Sequence, residues 1–302
     1  MRILTKWVIH CVFMAVTTCY ACAFAQSHTV PRRIVSANLC TDQLLLALAD
    51  PAQIVSLSRF SRDPSMSYLH EKAMQFPQNR GSAEDLVKLE ADLALVGSYD
   101  AGYTRQLLQR RALAFLPVPP WASHHEGLEQ IRMVAKAVGH ADRGEAMVAQ
   151  IEAALARLRA QAASRNSRPS ALIVSRRGFV YRAGPMAEIM AAAGLNDLAA
   201  NVGLPASGYV TMEQLISLKP DFLIVSEKEM AAKDQGQAFL AHPALADLWP
   251  PERRLVAPGH LTICGGPSYV ELIETVGAEI AVKLLSPTRQ NWWTPVKPPR
   301  IA

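Results

Sequence analysis

Arg59, Arg176, Arg177 and Arg182 carry guanidinium groups of the kind that meet carboxylates or phosphates, and Phe60, Tyr99, Trp121, Tyr181 and Tyr209 offer ring faces suited to covering a large flat ligand. Singly, each is an ordinary surface or packing residue; their placement in loops of one rim makes them a set. Reaction machinery is missing from the same chain. There is no G-x-S-x-G elbow, no S-x-x-K with its lactamase partners, no H-E-x-x-H, no paired C-x-x-C, no G-x-G-x-x-G and no phosphate loop. No catalytic residue and no cofactor is therefore assigned. The one close histidine pair, His124-His125, has adjacent side chains that diverge on any regular element, a poor chelate and a better solvated helix start, so no metal ligand is assigned either.

The elements that must hold these residues alternate. Short apolar runs at Arg33–Ser36, Ile54–Leu57, Leu93–Val96, Phe115–Val118, Leu172–Ser175, Phe222–Val225 and Leu255–Ala257 read as strands buried on both faces. Between them lie helical patterns at Asp42–Ala49, Tyr103–Arg111, Glu126–Val138, Pro185–Ala193 and Tyr269–Leu285. That order is the signature of α/β structure with mainly parallel sheets. Open sheets of this kind hold ligands at the carboxyl ends of their strands. The rim loops are then Ala37–Thr41, Ser58–Asp63, Gly97–Tyr103 and Pro119–His124 from the first block, and Arg176–Tyr181, Ser207–Tyr209, Ser226–Met230 and Gly259–Pro267 from the second.

One helix stands apart. From Asp142 to about Ser164 only Gly144 interrupts a pattern rich in Ala, Gln, Glu and Arg, with Met147, Ile151, Leu155 and Leu158 on one stripe, and Arg165 to Pro169 ends it. At 1.5 Å per residue it is roughly 33 Å long, the size of a strut joining two lobes, although an ordinary crossover helix has the same pattern. The blocks on either side resemble each other: Glu84–Val96 aligned on Glu213–Val225 gives five identities in thirteen positions without a gap. In each copy Ser82 or Thr211 caps a short helix that starts near the Glu, and the turn at Asp92 or Asp221 feeds a buried strand. The fold class expected is α/β, two Rossmann-like lobes with central mainly parallel sheets joined by one long α-helix.

Residues 1–25 read as a secretory signal peptide: Arg2 and Lys6, an apolar stretch, then Ala23-Phe24-Ala25 as a small-x-small cleavage site. Cys19-Tyr20-Ala21 makes a poor lipobox ahead of Cys22, so cleavage after Ala25 and export to the periplasm are expected. The divisions that follow are an N-terminal α/β lobe over 26–141, a linker helix over 142–165, a C-terminal α/β lobe over 166–286 and a tail with Pro and Trp over 287–302. Cleavage leaves 29 Lys and Arg against 26 Asp and Glu, a net +3 too mild for nucleic acid, and no basic run alternates with aromatic residues. Only Cys40 and Cys264 remain of the five cysteines, both in rim loops and on opposite lobes. A bridge across the cleft would lock it shut, so two small buried thiols are expected.

The segments Arg32-Arg33-Ile34-Val35-Ser36, Asn38-Leu39-Cys40-Thr41-Asp42-Gln43-Leu44 and Ile54-Val55-Ser56-Leu57-Ser58 with Asp63-Pro64 resemble the first strand, helix and second strand of the iron-siderophore and cobalamin class of periplasmic substrate-binding proteins. The two Glu-to-strand units, the strut helix and Ala183-Gly184-Pro185 before a helix fit the same class, over essentially all of residues 32–286. The resemblance implies a bilobed monomer that captures a metal chelate between its lobes with limited hinge motion, has no enzymatic activity, and delivers the ligand to an inner-membrane ABC permease. It also implies docking of Glu84 and Glu213 onto permease arginines, although a Glu in a first helical turn complements the macrodipole in any case. The arginines lean toward an anionic ferric siderophore or haem, the N-terminal segments toward cobalamin, and the two stand even. The rivals are a secreted α/β hydrolase and a zinc- or manganese-binding protein, the latter poorly served by the sparse histidines.

Overall fold

The computed structural model describes residues 30–98, 102–182, 184–204, 207–226 and 237–285; the expected signal peptide, Tyr99 and the 287–302 tail lie outside the described residues. The first lobe runs β1 (Ile34–Ser36), α1 (Leu39–Leu48), β2 (Ile54–Ser58), α2 (His70–Ala73), β3 (Gln78–Asn79), α3 (Ala83–Lys88), β4 (Leu93–Gly97), α4 (Gly102–Arg110), β5 (Ala114–Val118) and α5 (His124–Ala137). Then comes the long helix α6 (Ala141–Ala163). The second lobe runs β6 (Ser170–Ile173), β7 (Phe179–Tyr181), α7 (Pro185–Ala192), β8 (Asn196–Asp197), α8 (Leu198–Asn201), β9 (Ser207–Tyr209), α9 (Met212–Leu218), β10 (Phe222–Ser226), α10 (Gln237–Leu240), α11 (Pro243–Leu248), β11 (Arg254–Ala257), α12 (Gly259–Thr262) and α13 (Tyr269–Leu285).

Each lobe is built on a parallel sheet, in the order β3-β2-β1-β4-β5 in the first and β11-β10-β6-β8 in the second. In both, the chain moves outward on one side and then crosses to the other. The strand order therefore reverses between β1 and β4 and between β6 and β10, and crevices open there at the carboxyl ends. Every strand expected from the sequence is present. β6 differs in its end: it stops at Ile173 because the chain turns back, with Val174 bridging Val180 and the Ser175 amide donating to the Phe179 carbonyl at 2.7 Å. That return builds an antiparallel ribbon of β7 and β9 that sequence patterning does not anticipate.

Strand residues alternate between two apolar layers. Ile34, Leu93 and Leu95 of the first sheet and Ala171, Ile173, Phe222 and Ile224 of the second belong to one continuous core that passes through Ile151, Leu155 and Leu158 of α6. Their neighbours Val35, Ala94 and Val96, and Leu172, Leu223 and Val225, face outward into two separate layers under each lobe's outer helices. Both faces are thus covered, which is why these strands read as unbroken apolar runs. Among the described residues no helix is long and apolar enough to cross a membrane.

The internal repeat has a shared stitch. Asp92, in the turn before β4, accepts hydrogen bonds from the Arg32 and Arg33 amides at 2.8 and 2.9 Å, which pins the start of β1. Asp221, in the turn before β10, accepts from the Ser170 amide at 2.7 Å and the Ser170 hydroxyl at 2.8 Å, which pins the start of β6. In each lobe one carboxylate sets the stagger of the central strand pair.

Candidate functional site

The first turn of α1 organises the first lobe's rim. It starts at Leu39 rather than Asp42, because Asn38 caps it: the Asn38 side chain accepts from the Cys40 and Thr41 amides at 3.0 and 3.1 Å, and Thr41 Oγ1 accepts from the Asn38 amide. Asp42 is fully buried and accepts from the Ser58 amide at 2.9 Å and the Ser58 hydroxyl at 2.5 Å, at the carboxyl end of β2. Burial pushes its carboxyl up to about 6, against the opposing pull of the Ser58 and Ser36 hydroxyls. Ser58 Oγ in turn accepts from the Phe60 amide at 3.3 Å. Gln43 donates to Ser67 Oγ at 2.9 Å and accepts from the Leu69 amide at 3.1 Å. Between those two residues, Tyr68 lies beside Glu271 of the second lobe, and burial together with that carboxylate pushes its phenol up.

These supports deliver Arg59 and Phe60 to the surface side by side, the guanidinium lying over the ring at 4.8 Å, with Phe60 exposed. A groove of about 670 Å³ opens at the carboxyl ends of β4 and β5, lined among others by Ser98, Pro119, Pro120, Ala122 and Gln130. A larger one of about 790 Å³, between α6 and α13 and bordered by Ser164 to Ser167, lies at the amino end of β6, away from the rim.

In the second lobe the β7–β9 ribbon sets Phe179 opposite Tyr209 and Tyr181 opposite Ser207. Phe179, Tyr181 and Tyr209 therefore share one face, with Phe179 5.2 Å from Tyr209 and 6.4 Å from Tyr181 between ring centroids, while Val180 points into the core. Tyr209 is 70% exposed. Arg176 and Arg177 occupy the exposed turn at the ribbon's tip, which is tight enough to place Arg177 and Gly178 at positive φ. Gly178 is obligatory there, since a Cβ would stand 2.3 Å from the Val210 carbonyl oxygen. Phe179 was absent from the sequence-derived set; its signal is the Phe-x-Tyr alternation of a strand. Arg182 is committed to Asp197 at 3.0 Å and the Leu204 carbonyl at 3.1 Å.

Trp121 lies in the seam between the lobes. Its ring packs edge-on to Tyr269, 5.1 Å between centroids, and Nε1 donates to Gln130 Oε1 at 2.9 Å. A Cβ at Gly127 of α5 or at Gly265 of the second lobe would come within 2.3 Å of that ring. The fully buried Tyr269, its phenol raised by burial, donates to the Pro185 carbonyl at 3.1 Å. His124 is not the solvated residue expected: it begins α5 beside Tyr269 with Nε2 3.0 Å from Glu152 Oε1, while His125 is exposed. Among the described residues no group of three His, Cys, Asp or Glu is placed to hold a metal ion.

The expectation of two free thiols is overturned. Cys40 and Cys264 form a disulfide, S–S 2.06 Å and Cα–Cα 5.2 Å. A bridge across an open gap would lock it. The two cysteines instead meet where the lobes already touch, beside the Trp121 seam and where a Cβ at Gly266 would stand 2.8 Å from Leu44 Cδ2.

Glu84 and Glu213 occupy the same place in their lobes, exposed in the first turns of α3 and α9 behind the caps Ser82 and Thr211. The helix-start amides and those hydroxyls hold both carboxyls below the usual range.

Residues 34–250 match the family model described as periplasmic binding protein, a family of binding proteins and not of enzymes. No curated protein matches the chain. Among solved structures, the chain is similar to the periplasmic heme-binding protein RhuT of Roseiflexus sp. RS-1 in apo form, at 25% identity and TM-score 0.66 over 82% of this chain and 99% of that one. A periplasmic heme-binding protein of Pseudomonas aeruginosa shares the fold at 19% identity and TM-score 0.65, over 83% and 92% of the two chains. The vitamin B12 binding protein BtuF of Vibrio cholerae shares it at 17% identity and TM-score 0.61, over 85% and 99%.

Proposed function

The chain belongs to the periplasmic binding protein family, and from that premise we propose that it captures a flat metal chelate bearing carboxylates, of the haem type, between its lobes and hands it to an inner-membrane ABC importer. The observation that carries this is the aromatic face of Phe179, Tyr181 and Tyr209 with Arg176 and Arg177 at its tip. Rings in that arrangement suit a planar macrocycle, and guanidinium groups at its edge suit carboxylates more than the uncharged edge of a corrinoid. Arg59 and Phe60 would close on the ligand from the first lobe, Tyr99 would add a ring to that rim, and Trp121 would form the floor. The similarity to heme-binding proteins supports the same choice.

In this proposal the chain is exported through the signal peptide of residues 1–25 and works as a monomer without catalysis, its lobes spanning 26–141 and 166–286 on either side of the helix at 142–165. Glu84 and Glu213 dock onto the permease, one from each lobe. Titration of the purified mature protein with haemin, cyanocobalamin and a set of ferric siderophores, followed by fluorescence quenching and calorimetry, tests it. Submicromolar saturable binding of haemin, weakened at least tenfold by Arg176→Glu with Arg177→Glu, is expected. Tight binding of cyanocobalamin with no response to haemin would refute the anionic ligand, and silence throughout would refute chelate capture.

A further inference from the structure

The two lobes are tied at opposite ends of their strands. At the amino ends is α6. It begins beside the residues that precede β2, with Arg143 Nη2 2.6 Å and His140 Nε2 3.2 Å from Asp50, and it ends just ahead of the start of β6. At the carboxyl ends is the disulfide. Cys40 follows the carboxyl end of β1, and Cys264 follows α12, which leaves the carboxyl end of β11. A single strap lets two bodies hinge about it; two straps at opposite ends of the strands remove that freedom. The contacts around the disulfide are otherwise reversible ones: Trp121 against Tyr269 and Gly265, Tyr68 with Glu271, and the Gly184 amide with the Ala122 carbonyl at 3.1 Å.

We propose that the Cys40–Cys264 bond is a redox-sensitive second strap, which holds the cleft fixed for capture when oxidised and lets the lobes part when a dithiol reduces it. Its leverage on the rim comes from α1. Cys40 sits in the same turn as Asp42 and Gln43, the residues that hold Ser58, and through it the Phe60 amide, and the Ser67–Leu69 segment. Freeing Cys40 frees the one covalent anchor of the turn that shapes this half of the rim. The exchange balances in two steps. A thiolate of the dithiol attacks Sγ of Cys40, the less buried of the pair, and Cys264 leaves as a thiolate that takes up a proton. The second thiol of the reductant then resolves the mixed disulfide, so that two electrons pass to the protein and the dithiol becomes a disulfide.

The test reads the strap without any ligand. Hydrogen–deuterium exchange compares the oxidised protein, the protein reduced with dithiothreitol, and the Cys40→Ser, Cys264→Ser double variant, with free thiols counted in each. The expected result is exchange at least tenfold faster in residues 39–44 and 261–268 of both reduced and substituted forms, with the strands Leu93–Gly97 and Phe222–Ser226 unchanged. Equal protection in all three forms would overturn the proposal, and so would a loss of protection spread through both sheets, since the bond would then staple the whole fold rather than strap the lobes. A second arm rests on the chelate-binding function and uses haemin, whose dissociation is expected to be at least fivefold faster from the reduced protein. Failure of haemin and cyanocobalamin to bind either redox form would refute that function, while the exchange comparison decides the strap by itself.

Discussion

Asp42 offers a quantitative test of how the rim is held. Its carboxyl is buried between Ser36 and Ser58, and burial raises it from 3.8 to about 6. The folded protein therefore holds a proton that the unfolded chain gives up between those values. The stabilisation tied to this proton is complete below about pH 4 and is lost as pH rises through about 6. A shift of about two units corresponds to about 3 kcal/mol, at about 1.4 kcal/mol per unit. Asp42→Asn removes the charge while keeping an oxygen for the Ser58 amide and a polar group for the Ser58 hydroxyl. Urea unfolding of both proteins between about pH 4 and 7.5 measures the difference directly. The variant should gain on the parent across that range by about 3 kcal/mol, with most of the gain between about pH 4 and 6. A difference that stays flat with pH, or that runs in favour of the parent at neutral pH, would refute the burial account. A gain in stability accompanied by weaker haemin binding would mean that the carboxylate is kept for the sake of the Arg59–Phe60 rim.

Gly265→Ala should cost about 1–3 kcal/mol in the same assay, because its Cβ meets the Trp121 ring, and the cost should largely vanish in a Trp121→Ala background. Asp221→Ala should destabilise by about 1–3 kcal/mol and more than Asp92→Ala, since the groups it leaves unpaired at Ser170 are half-buried and those at Arg32 and Arg33 are exposed; equal thermal shifts would contradict this. Replacing Glu84 and Glu213 together by Ala should leave ligand affinity unchanged and abolish uptake by cells, and a loss of affinity measured by calorimetry would sink the docking role.

Much of the fold is legible in the sequence because strands packed on both faces leave short apolar runs, which their length and the helical patterns between them mark as strands. The repeat was equally visible, down to the Asp that precedes β4 and β10, although only the structure shows its carboxylate stitching the neighbouring strand. The β7–β9 ribbon is not legible because three-residue strands, one just after Gly178 and the other with Gly208 at its centre, carry too little periodicity. Trp121 looked like a rim residue because a tryptophan in a loop gives no hint of its destination. Its place depends on space left by Gly127 and by Gly265, the latter far away in the sequence. The disulfide runs against expectation for a related reason: the sequence places Cys40 and Cys264 in rim loops of opposite lobes, where a bridge would lock an open cleft, and nothing in it shows that these loops already touch. The Asn38 to Gln43 run was legible as a family segment, while the separate task of each side chain was not.

The core that threads α6 also decides what counts as a folding unit. Ile34 and Phe222 sit in different sheets yet bury against one shared apolar layer. Cutting the chain at either end of α6 would expose that layer on both halves, so neither half carries a complete interior of its own. The protein has two lobes by shape that share one interior, and the helix between them is part of it.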